Sequence, residues 1–87
     1  MVRVEIYTTF LCPYCTRALR LLQAKDIVFE QIDVSINSDL RQTMRCRAGG
    51  HTSVPQIFID DKHIGGCNEL IARESAGHLE TLLKDPN

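Results

Sequence analysis

Two cysteines three positions apart carry the chemistry that this sequence predicts most clearly. Cys12 and Cys15 enclose Pro13 and Tyr14, follow an apolar run of β-favouring residues and precede leucines at helical spacing. Residues at i and i+3 lie on one face of a helix, so the two sulfurs can form a disulfide or open to a dithiol with little backbone movement. A Cys-x-x-Cys pair between a strand and a helix is typical of a thiol–disulfide redox site.

The position of each cysteine predicts its role. Cys12 lies at the entrance to the helix, where free N–H groups and the helix dipole favour a thiolate, so we expect it to be the nucleophile. Cys15 lies one turn further in and is expected to be buried and to act as the resolving thiol. We interpret Cys67 as a residue of the last helix start and Cys46 as a half-buried apolar residue, although its arginine neighbours also fit a regulatory thiol.

The composition predicts an ordinary globular chain. Its 87 residues are enough for one domain, 1–87, and 44% hydrophobic with 24% charged residues is usual for that class. A net charge of −1 gives no indication of a nucleic-acid or membrane partner. The N-terminal apolar run contains charges, so we expect no signal peptide and a cytoplasmic location. A monomer is the default expectation. Four cysteines in that compartment do not indicate a disulfide framework, and the scattered histidines predict no metal site.

Hydrophobic periodicity and turn residues predict the element order βαβ, α, ββα. The expected ranges are 2–8, 13–25, 27–34, 38–47 and 55–59, then a short return strand from 63 and a helix over 68–83. Ser38 or Asp39 is expected to cap the second helix, and Cys67 or Asn68 the last one. A parallel βαβ unit joined to an antiparallel hairpin predicts an α/β fold: a mixed four-stranded sheet with helices on both faces.

With these residues placed, the sequence resembles the dithiol glutaredoxins, which have the thioredoxin-like fold, over nearly its whole length. The resemblance rests on three motifs in this order: Cys12-Pro13-Tyr14-Cys15, Ser53-Val54-Pro55 and Gly65-Gly66-Cys67-Asn68. Pro-Tyr between the cysteines and the absence of Trp distinguish it from thioredoxins, which typically carry Trp-Cys-Gly-Pro-Cys. The resemblance implies a thiol–disulfide oxidoreductase with no bound cofactor and with glutathione as co-substrate. It also implies protein disulfide substrates, such as those of thiol-dependent reductases.

The resemblance also implies a glutathione site. Its residues would be Tyr14, Gln42, Ser53, Val54, Pro55, Cys67, Asn68 and Glu69. A cis Val54–Pro55 bond would turn the backbone of Val54 toward Cys12, where it could pair with a cysteinyl peptide as a strand does. The amides of Cys67 and Asn68 would bind the γ-glutamyl carboxylate, as helix N-termini bind anions.

Two positions depart from the family pattern. Thr9 stands where the family usually has the Lys that binds the glycine carboxylate of glutathione, which predicts weaker binding. Gln42 matches the second-helix position for the same carboxylate, and the arginines at 41, 45 and 47 could compensate for the missing charge. Glu69 replaces the usual Asp, and the resemblance assigns it to the γ-glutamyl ammonium.

Two other functions remain open at the level of the sequence. Four cysteines could hold zinc, or a glutathione-ligated iron–sulfur cluster could form, but Cys46 and Cys67 are not a second close pair and Pro13 is unusual in cluster-binding relatives. A pure adaptor on the same scaffold is the third possibility, because a fold does not dictate a function. A measurement of metal content would test the metal-binding alternative, and absence of thiol exchange would favour the adaptor.

Overall fold

The computed structural model of the protein describes residues 3–79 and contains the predicted order of elements. They are β1 (Val4–Thr8), α1 (Pro13–Ala24), β2 (Glu30–Asp33), α2 (Ser38–Arg47), β3 (Gln56–Ile59), β4 (Lys62–Gly65) and α3 (Cys67–Ser75). The parts of the predicted first strand and last helix that fall on residues 2 and 80–83 lie outside the described residues.

The four strands form one mixed sheet in the order β2-β1-β3-β4, which confirms the predicted fold class. β1 is parallel to β2 and antiparallel to β3, and β3 and β4 form the antiparallel hairpin. Tyr7 near the end of β1 lies opposite Gln56 at the start of β3. The loop that leads to Cys12 and the segment that contains Pro55 therefore meet at the same edge of the sheet.

The helices cover both faces of this sheet. On one face α1 and α3 pack over Ile6 and Ile57 through residues that include Ala18, Leu22 and Leu70. On the other face α2 packs through Met44 over Tyr7 and Phe58, whose rings meet edge to face with centroids 5.7 Å apart. Because the central strand is covered on both sides, consecutive residues of β1 are all buried rather than alternating with exposed ones.

The second strand is shorter than the sequence predicts. It begins at Glu30 instead of residue 27, because the chain is still held to the end of α1 before that point. Asp26 adopts a left-handed backbone with φ 55°, and the N–H of Ile27 donates to the carbonyl of Leu22 at 3.0 Å. Ile27 and Phe29 pack against the core without joining the sheet, whereas Val28 between them is exposed.

The predicted helix caps were wrong by one residue in each case. The N-cap of α2 is Asn37, whose side-chain oxygen accepts from the N–H of Leu40 at 3.0 Å. The N-cap of α3 is Gly66, so Cys67 is already helical. The predicted last helix is interrupted: α3 ends at Ser75 because Gly77 adopts a φ of 76° that ends a right-handed helix, and the backbone is helical again at 78–79.

Arg47 ties the end of α2 to the sheet. Its guanidinium donates to Glu5 at 2.9 Å and to the Tyr7 hydroxyl at 3.0 Å, and it lies over the ring of Phe58, 4.1 Å from the centroid. The hydrogen bond to Glu5 raises the pKa of Arg47 above its usual range. Arg47 is therefore engaged in a structural ion pair and does not provide the compensating charge considered above for glutathione.

Candidate active site

Cys12 is the N-cap of α1. Its backbone is extended (φ −107°, ψ 103°), Pro13 follows at the first helical position, and Cys12 Sγ accepts from the N–H of Cys15 at 3.2 Å. An N-cap side chain normally satisfies a free helix N–H with an oxygen, and here a sulfur takes that place. The hydrogen bond and the positive end of the helix dipole both stabilise negative charge on this sulfur.

Cys15 provides a contrasting thiol on the same helix turn. Its side chain is only 2% exposed, and burial together with its hydrogen bond to Cys12 raises the pKa of Cys15 to about 12. The thiol of Cys15 is consequently protonated at neutral pH, whereas Cys12 is half-buried and accessible. This asymmetry suits an attacking Cys12 and a resolving Cys15.

The segment before β3 forms the second part of the site. The Val54–Pro55 peptide bond is cis, as the resemblance implied. Cys12 Sγ lies 3.9 Å from the carbonyl oxygen of Val54, although 42 residues separate the two in sequence. Pro55 is buried and Ser53 is exposed, so the backbone of Val54 lies at the boundary between core and solvent, beside the reactive sulfur.

The start of α3 packs closely against this segment, and two glycines allow it. A Cβ on Gly66 would lie 3.2 Å from the carbonyl oxygen of Pro55, and one on Gly65, where φ is 121°, would lie 2.8 Å from Glu69 Cγ. Glu69 Oε1 accepts from the N–H of Gly66 at 2.7 Å. The N–H groups of Cys67 and Asn68 in the first turn have no acceptor within the helix, as at every helix start.

These segments enclose a cavity of about 210 Å³, which we call the glutathione cavity after the ligand that the resemblance implies. It is lined by Tyr14, Ser53, Val54, Pro55, Gly66, Cys67, Asn68 and Glu69. All the residues that the resemblance assigned to glutathione line it except Gln42, which is exposed on α2 and is not among the lining residues. Tyr14 is 54% exposed at its rim.

Thr9 lies on the opposite side of the dithiol. It lines a second cavity of about 470 Å³ between α1 and the first two strands, which also contacts Cys12 and Cys15. The neighbouring side chains Phe10 and Leu11 are 68% and 101% exposed, and the N–H of Phe10 donates to Ser35 Oγ at 2.8 Å. Residue 9 therefore does not line the glutathione cavity, and the approach to Cys12 on this side is flanked by the exposed apolar side chains of Phe10 and Leu11.

The two remaining cysteines differ in their surroundings. Cys67 is buried, consistent with a packing residue at the start of α3. Cys46 is exposed, so its interpretation as a half-buried apolar residue was wrong: it lies on the side of α2 that faces solvent. All four thiols are free, and within residues 3–79 no three His, Cys, Asp or Glu side chains gather as metal ligands would.

Comparison with known proteins decides the family. The family model described as glutaredoxin matches residues 4–64, which include both cysteines and the cis-proline segment. The chain belongs to the glutaredoxin family. It is 49% identical to glutaredoxin 3 of Escherichia coli K12 over 84 residues, which cover 97% of this chain and 100% of that protein. It is also 47% identical to a probable glutaredoxin of Synechocystis over 81 residues, 93% of this chain and 92% of the relative.

Solved glutaredoxin structures share the fold. The solution structure of glutaredoxin from Brucella melitensis has a TM-score of 0.84 and 49% identity and covers 97% of this chain and 90% of its own. The buckwheat glutaredoxin–glutathione complex has a TM-score of 0.83 and 26% identity and covers 92% and 74%. The protein is thus a glutaredoxin thiol–disulfide oxidoreductase with a thioredoxin-like fold. None of its helices within residues 3–79 is long and apolar enough to cross a membrane.

The glutaredoxin site contains contacts that the sequence did not reveal. Gln56 reads as part of the apolar third strand, yet its amide contacts Ser53 in the glutathione cavity at 2.9 Å. A polar residue in a strand that is otherwise apolar was the available signal. The N-cap at Gly66 also had a signal, because glycine is accepted at that position and Glu69 stands three residues later, where its side chain accepts from the Gly66 N–H.

Proposed function

We propose that this glutaredoxin uses glutathione to reduce glutathione mixed disulfides and protein disulfides through Cys12 and Cys15. The observation that carries the proposal is the glutathione cavity, whose wall at the Val54 carbonyl is 3.9 Å from Cys12 Sγ. A substrate cysteine whose backbone pairs with the backbone of Val54 would have its sulfur next to Cys12 Sγ, the attacking sulfur. The family membership and the glutathione complex of the buckwheat relative support the same substrate.

Reduction of a glutathione mixed disulfide needs only Cys12. Its thiolate attacks the glutathione sulfur, the original S–S bond breaks, and the released substrate thiolate takes a proton from solvent. Cys12 then carries the glutathionyl group in a new disulfide. The thiolate of a second glutathione attacks that glutathionyl sulfur, so glutathione disulfide leaves and the Cys12 thiolate returns.

Reduction of a protein disulfide uses both cysteines. Cys12 attacks one substrate sulfur and forms a mixed disulfide, while the other substrate sulfur leaves as a thiolate and is protonated. Cys15 then attacks Cys12 Sγ and gives its proton to the second departing substrate thiolate, which leaves the Cys12–Cys15 disulfide. Two glutathiones reduce that disulfide. The high pKa of Cys15 keeps it protonated until this second step.

The remaining roles follow from chemistry. The amides of Cys67 and Asn68 would bind the γ-glutamyl carboxylate, and Glu69 would face its ammonium. Tyr14 would pack on the bound peptide, and Gln42 would reach the glycine carboxylate from α2 only if glutathione extends beyond the cavity. We also propose a cytoplasmic location, because four free thiols suit a reducing compartment. We propose a monomer as the default state, and protein substrates with exposed disulfides, because Cys12 is half-buried and their sulfur must reach it.

Single-cysteine variants test the proposal. In a coupled assay with glutathione, glutathione reductase and a small glutathionylated thiol, Cys12→Ser should abolish turnover and Cys15→Ser should keep it. In reduction of a protein disulfide, Cys15→Ser should lose turnover as well. Cys46→Ser, which removes an exposed thiol of α2, is the matched control and should leave both activities unchanged.

A second arm tests the glutathione cavity itself. When a simple thiol such as mercaptoethanol replaces glutathione at the same thiolate concentration, turnover should fall at least tenfold, because the simple thiol lacks the groups that the cavity binds. Equal turnover with both thiols would contradict a glutathione site. Loss of small-substrate turnover in Cys15→Ser would contradict the assignment of Cys12 as sufficient nucleophile.

A further inference from the structure

A buried amide links the glutathione cavity to the hairpin behind it. Gln56, the first residue of β3, is 3% exposed. Its Nε2 donates to the carbonyl oxygen of Ser53 at 2.9 Å and lies 3.3 Å from Ser53 Oγ, and its Oε1 lies 2.6 Å from Nε2 of His63 on β4. Both ends of this side chain are thus engaged, one with a lining residue of the cavity and the other with the hairpin.

The direction of these hydrogen bonds is fixed by the groups involved. A carbonyl oxygen only accepts, so the amide nitrogen of Gln56 must face Ser53 and its oxygen must face His63. His63 is therefore the donor, through a protonated Nε2. A neutral imidazole with the proton on Nε2 is sufficient for this bond, and burial together with the imidazole of His51 lowers the pKa of His63.

His63 is itself held in place by aromatic contacts. Its ring lies 5.1 Å from that of Phe58 at an interplanar angle of 33°, and 5.9 Å from that of His51. His51 precedes Ser53 by two residues in the connection between α2 and β3. That connection is thus fastened to β4 at two points, once through His51 and once through the amide of Gln56.

We propose that Gln56 is a positioning residue for substrate binding: its amide bridges the Ser53 carbonyl and His63, and so fixes the backbone of Val54 beside Cys12. The connection begins with Gly49 and Gly50, which have positive φ and open space around them, and its residues 51–53 are exposed, so little packing restrains the part next to Val54. Holding the Val54 N–H and C=O in the bound geometry beforehand reduces the ordering that substrate binding requires. This inference deepens the proposed function and depends on it.

The consequence is an effect on binding without an effect on the thiol. Cys12 Sγ accepts a hydrogen bond from the N–H of Cys15 and lies at the positive end of the α1 dipole. The hydrogen bonds of Gln56 go to Ser53 and His63 instead. Gln56→Leu should raise KM for a glutathionylated peptide about fivefold, which is the factor that one hydrogen bond of about 1 kcal/mol gives. Its kcat and the rate of Cys12 alkylation by iodoacetamide should stay within about twofold of the wild-type values, because a residue that acts only on binding changes KM and not the chemical step.

Variants of His63 test the link through the amide. His63→Phe keeps a flat ring over Phe58 and loses the donor, so KM should rise about two- to threefold, and His63→Gln, which restores an N–H donor, should bring KM back. The double variant Gln56→Leu with His63→Phe should have the KM of Gln56→Leu alone, because His63 acts through Gln56. These variants also decide the question should Gln56→Leu fail to fold.

Each outcome is decisive. A wild-type protein without glutathione-dependent turnover would overturn the proposed function. A wild-type protein that turns over, with an unchanged KM in Gln56→Leu and in His63→Phe, would overturn the positioning role alone. Slower alkylation of Cys12 in Gln56→Leu would also overturn it, since the residue would then act on the thiol and not on the substrate segment. Additive effects in the double variant would contradict the path through Gln56.

Discussion

Glu69 has an observed role as a cap and a proposed role in glutathione binding, and one pair of substitutions can separate them. Its Oε1 accepts from the N–H of Gly66 at 2.7 Å, which fixes the first turn of α3, while its carboxylate also lines the glutathione cavity. A side-chain cap of this kind stabilises a protein by about 1 kcal/mol, and a hydrogen bond to a charged group by somewhat more. Because Glu69 is exposed, we take about 1–1.5 kcal/mol as its contribution to the free energy of unfolding.

Glu69→Ala removes both the acceptor and the charge, whereas Glu69→Gln keeps an acceptor oxygen of the same reach and removes only the charge. Urea unfolding followed by circular dichroism should therefore show a loss of about 1–1.5 kcal/mol for Ala and less than about 0.5 kcal/mol for Gln. In glutathione turnover, both variants should raise KM by a similar factor, since neither can pair with the γ-glutamyl ammonium.

The stability prediction and the KM prediction can be refuted separately. Equal stability of the Ala variant and the wild type would refute the capping contribution. A Gln variant with the KM of the wild type would refute the contact with the ammonium, whatever the stability of either variant.

The other predictions concern stability, pH and the departure at position 9. Asn37→Ala, which removes the N-cap of α2, should lower the free energy of unfolding by about 1 kcal/mol in urea, and Asn37→Asp should retain it. Arg47→Met leaves the Glu5 carboxylate, which is 8% exposed, without its 2.9 Å partner and should lose about 2 kcal/mol; a smaller loss in Arg47→Lys would show that charge matters. Burial lowers the pKa of His63 from its usual 6.5, so its contribution to stability is fully present above pH 6.5 and is lost as the pH falls below it. Unfolding measured across that range should depend less on pH in His63→Gln. Thr9→Lys should leave KM for glutathione unchanged, because residue 9 lines the cavity on the α1 side and not the glutathione cavity, and a lower KM would show that a lysine there reaches the bound peptide.

Local patterns in the sequence predicted most of the fold. Pro13 identified the start of α1 and the spacing of Leu22 its buried face, and both are as expected. The mixed sheet and the two covered faces followed from the βαβ unit and from the hairpin turn, whereas the order of the strands in the sheet came only from the structure. The errors are at element ends, where a single residue decides: Gly77 breaks the last helix, and Asn37 caps α2 ahead of two other good candidates.

The site was predictable where residue type and spacing alone indicate a chemical role. A cysteine pair, a proline after a valine and two glycines before a helix are each visible in the sequence, and the assignment of residues to glutathione stays a prediction from the family resemblance. The support behind them was not visible. Arg47 and Glu5 are 42 positions apart, so no local pattern reveals their ion pair. Ser53 and His63 are only three and seven positions from Gln56, but a polar residue in an apolar strand does not by itself indicate which groups its amide contacts.

The register of the central strand also has a consequence for how the site comes into being during synthesis. β1 and β2 can pair once the first βαβ unit has left the ribosome, but the other edge of β1 waits for β3, since Val4 pairs with Ile59. The attacking half of the site is therefore translated long before the half that binds the substrate. Until residues 53–69 emerge, the two thiols lie on a nascent chain that lacks the walls of the cavity and has an unpaired strand edge. Such an edge promotes pairing with other chains.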